Sequence, residues 1–310
     1  MEAVESYWAE VYDPPRWRTS YFDLPEAQRA PMNSDFANTD NESPFYHEAM
    51  DWVLARRILT DEILWVPLDC VSLDYTKDGN SRLDRSSNGL GAGRTATFAA
   101  MTALLEVIER DAFAAWTRKP PAVRTADRVS LRSIRFAWFL ELVKRIEAAG
   151  LRLSLFRMPS VVGLPAFVCE IRELSGSRRR WLGSACRSRL YDALAQSVVE
   201  AAQSRLTVIA GARDDLSVTT WYSGATEPAY LAEPMPTHLA PMDWAELVSA
   251  HGDTEALDVT RLARLLAQAG FPQASLIDLS PADGDFAVVK AIVPGLARGA
   301  RSRRTERLDK

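Results

Sequence analysis

The stretch SSNGLGAGRTATFAAMTALLEVIERDAFAAW, residues 86–116, decides the fold. Its glycine-rich start predicts a tight turn at 86–93. Apolar residues then recur at three- and four-residue spacing, which predicts a helix over about 96–117. The stripe that we expect to face the core consists of Phe98, Met101, Leu105, Ile108, Ala112 and Trp116. Backbone N–H groups of the turn could hold a phosphate, but neither standard nucleotide fingerprint is met, and a plain turn explains the glycines equally well.

The order of elements around this helix is repeated. A predicted helix at 132–149 ends at Gly150 and precedes strands at 151–155 and 164–172. The same order recurs at the C-terminus, with a helix at 257–269, Gly270, and strands at 273–279 and 286–293. We also expect a helix at 45–60, strands at 64–75 and 181–186, and a helix at 192–210. The pattern predicts an α/β (α+β layered), pseudo-duplicated sheet-and-helix domain over 1–310, with an irregular arm at 13–44 and a frayed charged tail at 298–310.

Composition limits the classes of protein that fit. The chain has 310 residues, 47% of them hydrophobic and 25% charged, which indicates a globular protein. A net charge of -4 argues against nucleic acid as a partner. Three scattered cysteines, Cys70, Cys169 and Cys186, fit a reduced compartment, so we expect a cytoplasmic protein. No apolar run approaches the ~18 residues of a membrane span, and the three histidines lie far apart, so carboxylates must carry any metal chemistry.

Two pairs of glutamates share one spacing. Glu106 and Glu109 are three residues apart on the long helix, and Glu2 and Glu5 repeat that spacing in a helix-like N-terminus. Like charges side by side become favourable when a divalent cation bridges them, and Mg²⁺ with a phosphate is the common case. A solvated helix face next to Arg110 is the simpler interpretation of one such pair taken alone.

A third acidic helix lies at 192–210. Gln196, Glu200 and Gln203 fall on one face, and Arg205 follows them. A solvated face again explains this helix when it is considered singly. Several acidic helices that converge would instead form a nucleotide site with several Mg²⁺ ions, in which arginines neutralise phosphoryl charge.

These segments carry a resemblance to a known family. Residues 86–116 resemble the S-N-G-x-x-[AS]-G-N-T…A…E-V-[IF]-E-R signature of the YcaO domain family, and 193–216 resemble its E-x-x-Q-x-R helix with the R-D-D end. MEAVESYWAE (1–10) is similar to its first E-x-x-E helix, and VVKAIVPGL (288–296) to its V-x-V-P-G-L close. The matches span nearly the whole chain in the family's order.

The resemblance implies a YcaO-like fold with a nucleotide cleft lined by acidic helices. It also implies ATP- and Mg²⁺-dependent phosphorylation of a peptide amide oxygen, which leads to azolines, amidines or thioamides in ribosomally made peptides or proteins. By the same resemblance, Glu2, Glu5, Glu106 and Glu109 would hold Mg²⁺. The nucleotide contacts would come from Ser87, Asn88, Arg94, Arg110, Glu200, Gln203 and Arg205. No catalytic residue is assigned.

Implied partners are a peptide or protein substrate, a protein that delivers a leader peptide or sulfur, and a second copy of the chain; an accessory role to a methylthiotransferase is a further implication. We do not expect the protein to bind a membrane.

The departures from the family pattern favour an alternative. Gly91 stands where serine or alanine is usual, Arg94 where asparagine is expected, and Phe98 where a glutamate commonly contacts the nucleotide. The chain also begins at what corresponds to an internal position of the family, so we expect an N-terminal truncation. A non-catalytic YcaO-like scaffold that binds a peptide or a partner enzyme is therefore the second hypothesis. The tail lacks the Pro-x-Pro-x-Pro end of many azoline-forming members, which favours thioamide formation or an unassigned branch.

Overall fold

The computed structural model describes residues 2–30, 44–77, 83–174, 179–210, 240–251, 257–281 and 284–296. The chain divides into two compact units, Met1–Asp111 with Ala256–Lys310, and Ala112–Glu255. The expectation of a single domain over 1–310 stays a prediction. Within the described residues, no helix is long and apolar enough to cross a membrane.

The first unit is built on an antiparallel sheet. Its strands are β1 (Trp17–Thr19), β2 (Met50–Arg57), β3 (Ile63–Pro67), β4 (Leu90–Gly93), β8 (Ser275–Asp278) and β9 (Ala287–Ile292), in the spatial order β1-β2-β8-β9-β4 with β3 also paired to β2. Its helices are α1 (Glu2–Glu10), α7 (Val259–Gln268) and most of α2 (Ala96–Arg118). Ala99 and Ala100 of α2 pack on Ala287 and Val289 of β9. The first turns of α2 therefore cover one side of the sheet beside β4.

The second unit has a three-stranded antiparallel meander. Its strands β5 (Leu151–Arg157), β6 (Ala166–Glu173) and β7 (Arg180–Cys186) pair in chain order. Its helices are α3 (Pro121–Ala126), α4 (Ala137–Ala148), α5 (Leu190–Ile209) and α6 (Trp244–His251). Alternate residues of β5, Leu151, Leu153 and Leu155, enter a core shared with Phe139 of α4 and Leu194 of α5. This alternation is why the strand was predictable from its sequence.

The mixed α/β fold class and the repeated order are confirmed. Each copy has a helix, α4 or α7, then a glycine, Gly150 (φ +73°) or Gly270 (φ +97°), and then an antiparallel pair of strands. Glycine fits both turns because a left-handed φ strains any other L-residue. The helix expected at 192–210 is α5.

The helix predicted at 45–60 is wrong. This segment holds a 3-10 turn at Pro44–His47 and then β2, which pairs with β1, β3 and β8. Trp52 and Val53 are fully buried in this pairing. Partners on both sides of the strand outweigh the helix propensity of the neighbouring glutamate and alanine. The strand predicted at 64–75 stops at Pro67, where a 3-10 turn, Leu68–Cys70, begins.

Short regular elements also occur in the predicted arm. Residues 13–30 contain β1 and a 3-10 turn at Glu26–Gln28. Residues 31–43 and the predicted tail at 298–310 lie outside the described residues, as does the R-D-D segment at 213–215. The arm and the tail stay predictions.

Candidate functional site

Helix α2 carries two of the predicted ligands on a mostly buried face. It begins directly after Thr95, whose Oγ1 accepts a hydrogen bond from the N–H of Phe98 at 3.2 Å, as a helix N-cap does. Three turns later, Glu109 is 6% exposed and the Glu106 side chain is 23% exposed. A solvated face, the simpler interpretation of this pair, does not fit that burial.

Glu5 reaches the same region from α1. Its Oε1 accepts a hydrogen bond from the backbone N–H of Ala92 at 2.8 Å. Strand β4 lies at the edge of its sheet, with β9 as its neighbour, so the outward N–H of Ala92 would otherwise lack a partner from the sheet. Residues 90–93 thus form a strand, where the sequence predicted only a turn.

Gly91 explains how α2 comes so close to β4. A Cβ atom at this position would lie 2.4 Å from the carbonyl oxygen of Ala99 and 2.6 Å from the nitrogen of Ala103. The strand and the helix backbone are therefore in direct contact. The serine or alanine that is usual in the family pattern would not fit here without a backbone shift.

The pKa of Glu106 is raised to about 7. Burial is the main cause; Arg110 acts against it, and the charges of Glu109 and Glu5 contribute to the rise. Lys290 acts in the opposite direction and lowers it. Arg110 lies one helical turn from Glu106, with 3.5 Å between guanidinium nitrogen and carboxylate oxygen. Glu5 and Glu109 are thus each near enough to Glu106 to disfavour its negative charge, which is the electrostatic condition that favours a cation.

Lys290 is a buried cation that the sequence analysis missed. It lies on β9, is 1% exposed, and donates a hydrogen bond from Nζ to the carbonyl oxygen of Ser86 at 2.5 Å. The signal was available, because Lys290 is the one charged residue in the apolar run FAVVKAIV at 286–293. A charged side chain is rarely fully buried unless it is paired.

The turn before β4 contains the remaining predicted residues of this unit. The Oδ1 atom of Asn88 is buried and has no hydrogen-bond partner within the described part of the chain. Ser87 and Arg94 are exposed. Phe98, predicted in the core stripe, is 61% exposed, because Ala99 and Ala100 occupy the side of the helix that faces the sheet. The rest of that stripe from Leu105 to Trp116 is buried.

Two observations limit the metal prediction. Glu2 lies in α1, but its side chain is outside what the structure describes. Across the described residues, no three His, Cys, Asp or Glu side chains are grouped closely enough to hold a metal ion by themselves. A cation here would therefore need oxygen ligands that the described side chains do not supply.

The other predicted residues belong to the second unit. Glu200 accepts a hydrogen bond at its Oε2 from the backbone N–H of Ser184 in β7, at 3.1 Å. Gln203 is exposed. The guanidinium of Arg205 lies 5.3 Å from the ring centre of Trp181, and its buried Nε has no hydrogen-bond partner among the described residues. Arg205 thus packs on a residue of β7, the strand that Glu200 also contacts.

The comparison with protein families agrees with the resemblance of residues 86–116 and 193–216. The model of the YcaO cyclodehydratase family, described as ATP- and Mg²⁺-binding, matches residues 1–297. The chain belongs to the YcaO family. An uncharacterized protein in the tfuA 3′ region of Rhizobium leguminosarum bv. trifolii is 34% identical over 226 residues, which are 70% of this chain and 53% of the relative. The chain thus spans about half the length of this relative.

Solved YcaO structures share the fold. A heterocyclase in complex with substrate and cofactor superposes with a TM-score of 0.75 at 22% identity, over 96% of this chain and 43% of that chain. YcaO from Methanopyrus kandleri bound with AMPPCP and Mg²⁺ gives a TM-score of 0.69 at 21% identity, over 96% and 74%. The E. coli microcin synthetase McbBCD complex gives 0.64 at 13% identity, over 94% and 77%. The chain therefore has the fold of the solved YcaO proteins.

The residues of the first unit fit Mg²⁺ and a nucleotide in chemistry. Carboxylate oxygens are hard ligands of the kind that Mg²⁺ takes, and Mg²⁺ usually completes its shell with water and phosphate oxygens. Glu5, Glu106 and Glu109 supply such oxygens, and the buried Oδ1 of Asn88 is an acceptor without a partner among the described residues. A bound Mg²⁺ would neutralise phosphate charge and position the triphosphate, which is most of what phosphoryl transfer needs.

Proposed function

We propose that this chain activates a backbone amide of a peptide by ATP-dependent O-phosphorylation. Glu5, Glu106 and Glu109 would hold Mg²⁺ against the triphosphate, together with Glu2 by resemblance. The observation that carries the proposal is the group of carboxylates around Glu106: burial, with the nearby charges of Glu109 and Glu5, raises the pKa of Glu106 to about 7. A group that is costly to ionise gains most from a cation.

The residues around this group have separate tasks in the proposal. Arg110, beside Glu106, would approach phosphate oxygens as a guanidinium does elsewhere. Asn88 and Ser87 would contact the nucleotide from the turn, and exposed Arg94 supplies a further cation at the start of α2. Glu200, Gln203 and Arg205 of the second unit are assigned to the nucleotide by resemblance alone.

The peptide product and the partners belong to the same proposal. Phosphorylation of the amide oxygen makes it a leaving group, so that a cysteine, serine or threonine side chain or an external sulfide replaces it. The products would be azolines or thioamides. We further propose that a partner delivers the leader peptide or sulfur, that the chain pairs with a second copy, and that it works in the cytoplasm. We also propose, by resemblance, that the chain acts as an accessory factor to a methylthiotransferase.

A scaffold without catalysis is the second candidate. Phe98 is 61% exposed where a glutamate would contact the nucleotide, and an aromatic ring supplies no ligand for Mg²⁺ or ribose.

Calorimetric titration with Mg²⁺ and ATP tests the proposal. We expect the unaltered chain to bind ATP with Mg²⁺, and the Glu106→Ala variant to lose this binding. Glu141→Ala is the matched control, because Glu141 of α4 also pairs with an arginine four residues on, Arg145 at 3.0 Å, and lies outside the carboxylate group. No binding by the unaltered chain would contradict the proposal and favour the scaffold. Equal binding by Glu106→Ala would remove Glu106 from the site.

A further inference from the structure

The three strands of the second unit align three arginines. Arg152 of β5 pairs in register with Arg172 of β6, which pairs in register with Arg180 of β7. Side chains that lie directly opposite each other on antiparallel strands share one face, with about 5 Å between their Cβ atoms. The three residues therefore form a continuous row, which we call the arginine row. Arg152 is exposed, Arg172 is half-buried, and the side chain of Arg180 is 12% exposed.

The arginine row lies on the face of the meander opposite to its hydrophobic core. Leu151, Ile171 and Trp181, each next to one of the arginines along its strand, belong to the core shared with α4 and α5. Successive side chains of a strand point to opposite faces, so the arginines point away from that core.

The charge of the row is only partly neutralised. Like charges directly opposite each other across two strands are destabilising. Arg180 is offset by Glu170, which is 7% exposed and whose carboxylate oxygen lies 3.6 Å from a guanidinium nitrogen of Arg180. Arg152 and Arg172 make no ion pair with any residue that the structure describes. Rigid strands thus hold two adjacent guanidinium groups that an anionic ligand would neutralise.

The dimensions of the row fit the carboxylates of a peptide. A guanidinium group binds a carboxylate through two parallel hydrogen bonds. Two strand spacings make the row about 10 Å long, enough for two or three carboxylates, whereas sites for nucleic acid commonly contact more phosphates than that.

An exposed leucine at the end of β6 also favours a peptide. Leu174 follows the strand, donates its N–H to the carbonyl oxygen of Gly150, and is 50% exposed. It comes two residues after Arg172, so the alternation of the strand places it on the side of the row. A phosphate backbone has no apolar group to cover a leucine, but a peptide with acidic and apolar residues has one.

We propose that the arginine row binds an acidic segment of the peptide that the protein modifies, with Leu174 against an apolar residue of that segment. In naming this peptide as the substrate, the inference rests on the proposed function. Binding of one segment would raise the effective concentration of the others near the chain. The arginine row is not assigned a contact with the reacting amide.

Fluorescence anisotropy with two labelled peptides tests this surface without ATP or Mg²⁺. One peptide consists of glutamate, leucine and glycine, and the other has glutamine in place of each glutamate. We expect the unaltered chain to bind the acidic peptide about tenfold more tightly than the neutral one, and less tightly as salt is raised. Arg152→Gln with Arg172→Gln should weaken binding of the acidic peptide about tenfold.

Arg132→Gln with Arg135→Gln is the matched control. Both positions are exposed and lie in the same unit, so this variant removes the same charge away from the row. We expect its affinity for the acidic peptide to stay within about twofold of that of the unaltered chain. Thermal unfolding of both double variants checks that folded protein is compared, and the row variant should be no less stable than the unaltered chain because it removes opposed like charges.

Each result supports or overturns the proposal. A loss of acidic peptide binding confined to the row variant supports it. Equal binding of the two peptides, an unchanged affinity of the row variant, an equal loss in the control variant, or tighter binding of a single-stranded DNA oligonucleotide than of the acidic peptide would each overturn it. None of these results changes the calorimetric titration with ATP and Mg²⁺. Absence of ATP binding in that titration would overturn the proposed function and, with it, the naming of the peptide as a substrate.

Discussion

Two edge strands, β4 in the first unit and β7 in the second, are completed in the same way. In β4, Gly91 lies against a helix backbone and the next N–H, that of Ala92, donates to Glu5. In β7, Gly183 lies against the backbone of α5, and the next N–H, that of Ser184, donates to Glu200. A glutamate that caps an edge N–H thus occurs in both units, so this contact alone does not indicate a ligand site.

The difference lies in what surrounds the two glutamates. Glu200 belongs to α5, the helix that Gly183 touches, so one helix both packs on the strand and caps its edge. Glu5 comes from α1, while α2 packs on Gly91 and brings its own carboxylates. Glu5 is therefore one of the charges that, after burial, raise the pKa of Glu106. The second unit illustrates edge protection, and the first unit adds to it an electrostatic cost that a bound cation would relieve.

The largest expected effect comes from the two glycines. A Cβ at Gly183 would lie 2.1 Å from the nitrogen of Ala201, and one at Gly91 would lie 2.4 Å from the oxygen of Ala99, so either strand must move from its helix. We expect Gly183→Ala and Gly91→Ala each to lower the free energy of unfolding by more than about 3 kcal/mol. Urea unfolding followed by circular dichroism measures this.

Gly150→Ala is the control for these two substitutions. Its Cβ would meet no atom within 4 Å, although φ is +73°. We expect a loss of only about 1 kcal/mol from the left-handed backbone conformation. If all three alanine variants lost the same free energy, close helix packing would not be what the strand glycines provide.

The next largest effect is a pH dependence of the free energy of unfolding, which we expect from Glu106 in the first unit. Glu106 has a folded pKa of about 7, above the ordinary 4.5, so the folded state binds the proton more tightly than the unfolded state. The free energy of unfolding therefore falls as pH rises from about 4.5 to about 7. Glu106→Gln removes this dependence, and we expect it to be more stable than the unaltered chain by about 2 kcal/mol at pH 8. Urea unfolding from pH 5 to pH 8, without divalent ions, measures the difference between the two proteins.

Glu141→Gln serves as the matched substitution, since Glu141 is exposed and paired with Arg145. We expect a stability difference near zero at every pH. A Glu106→Gln variant that is less stable than the unaltered chain at pH 8 would contradict the cost of ionising Glu106 that burial and the charges of Glu109 and Glu5 impose.

The sequence predicted most of the elements because their apolar spacing is local. Helices α2, α4, α5 and α7 and the strands of both repeats were predictable from period and from the glycines that end the helices. Strand β2 was not, because its burial depends on β1, β3 and β8, which are distant in sequence. Pairing of that kind leaves no reliable period in the strand itself.

The candidate site was predictable in part for the same reason. The spacing of Glu106 and Glu109 placed them together on one helix, but no pattern indicated that Glu109 would be buried. Glu5 and Lys290 come to this region through the neighbours of β4, which the sequence alone did not establish. Lys290 could have been noticed as a single charge within an apolar strand.

The smallest effect compares the two capping glutamates directly. Glu200→Ala leaves the N–H of Ser184 without this acceptor, and we expect a loss of about 1–2 kcal/mol at pH 8. Glu5→Ala removes the same kind of bond to Ala92 but also relieves the repulsion with Glu106, so the net loss at pH 8 should be smaller. At pH 5, where Glu106 is protonated in the folded state, the repulsion is absent and the two losses should become similar. Urea unfolding at both pH values measures the difference between the two variants. If Glu5→Ala lost as much free energy of unfolding as Glu200→Ala at pH 8, the charge of Glu5 would not destabilise the fold through Glu106.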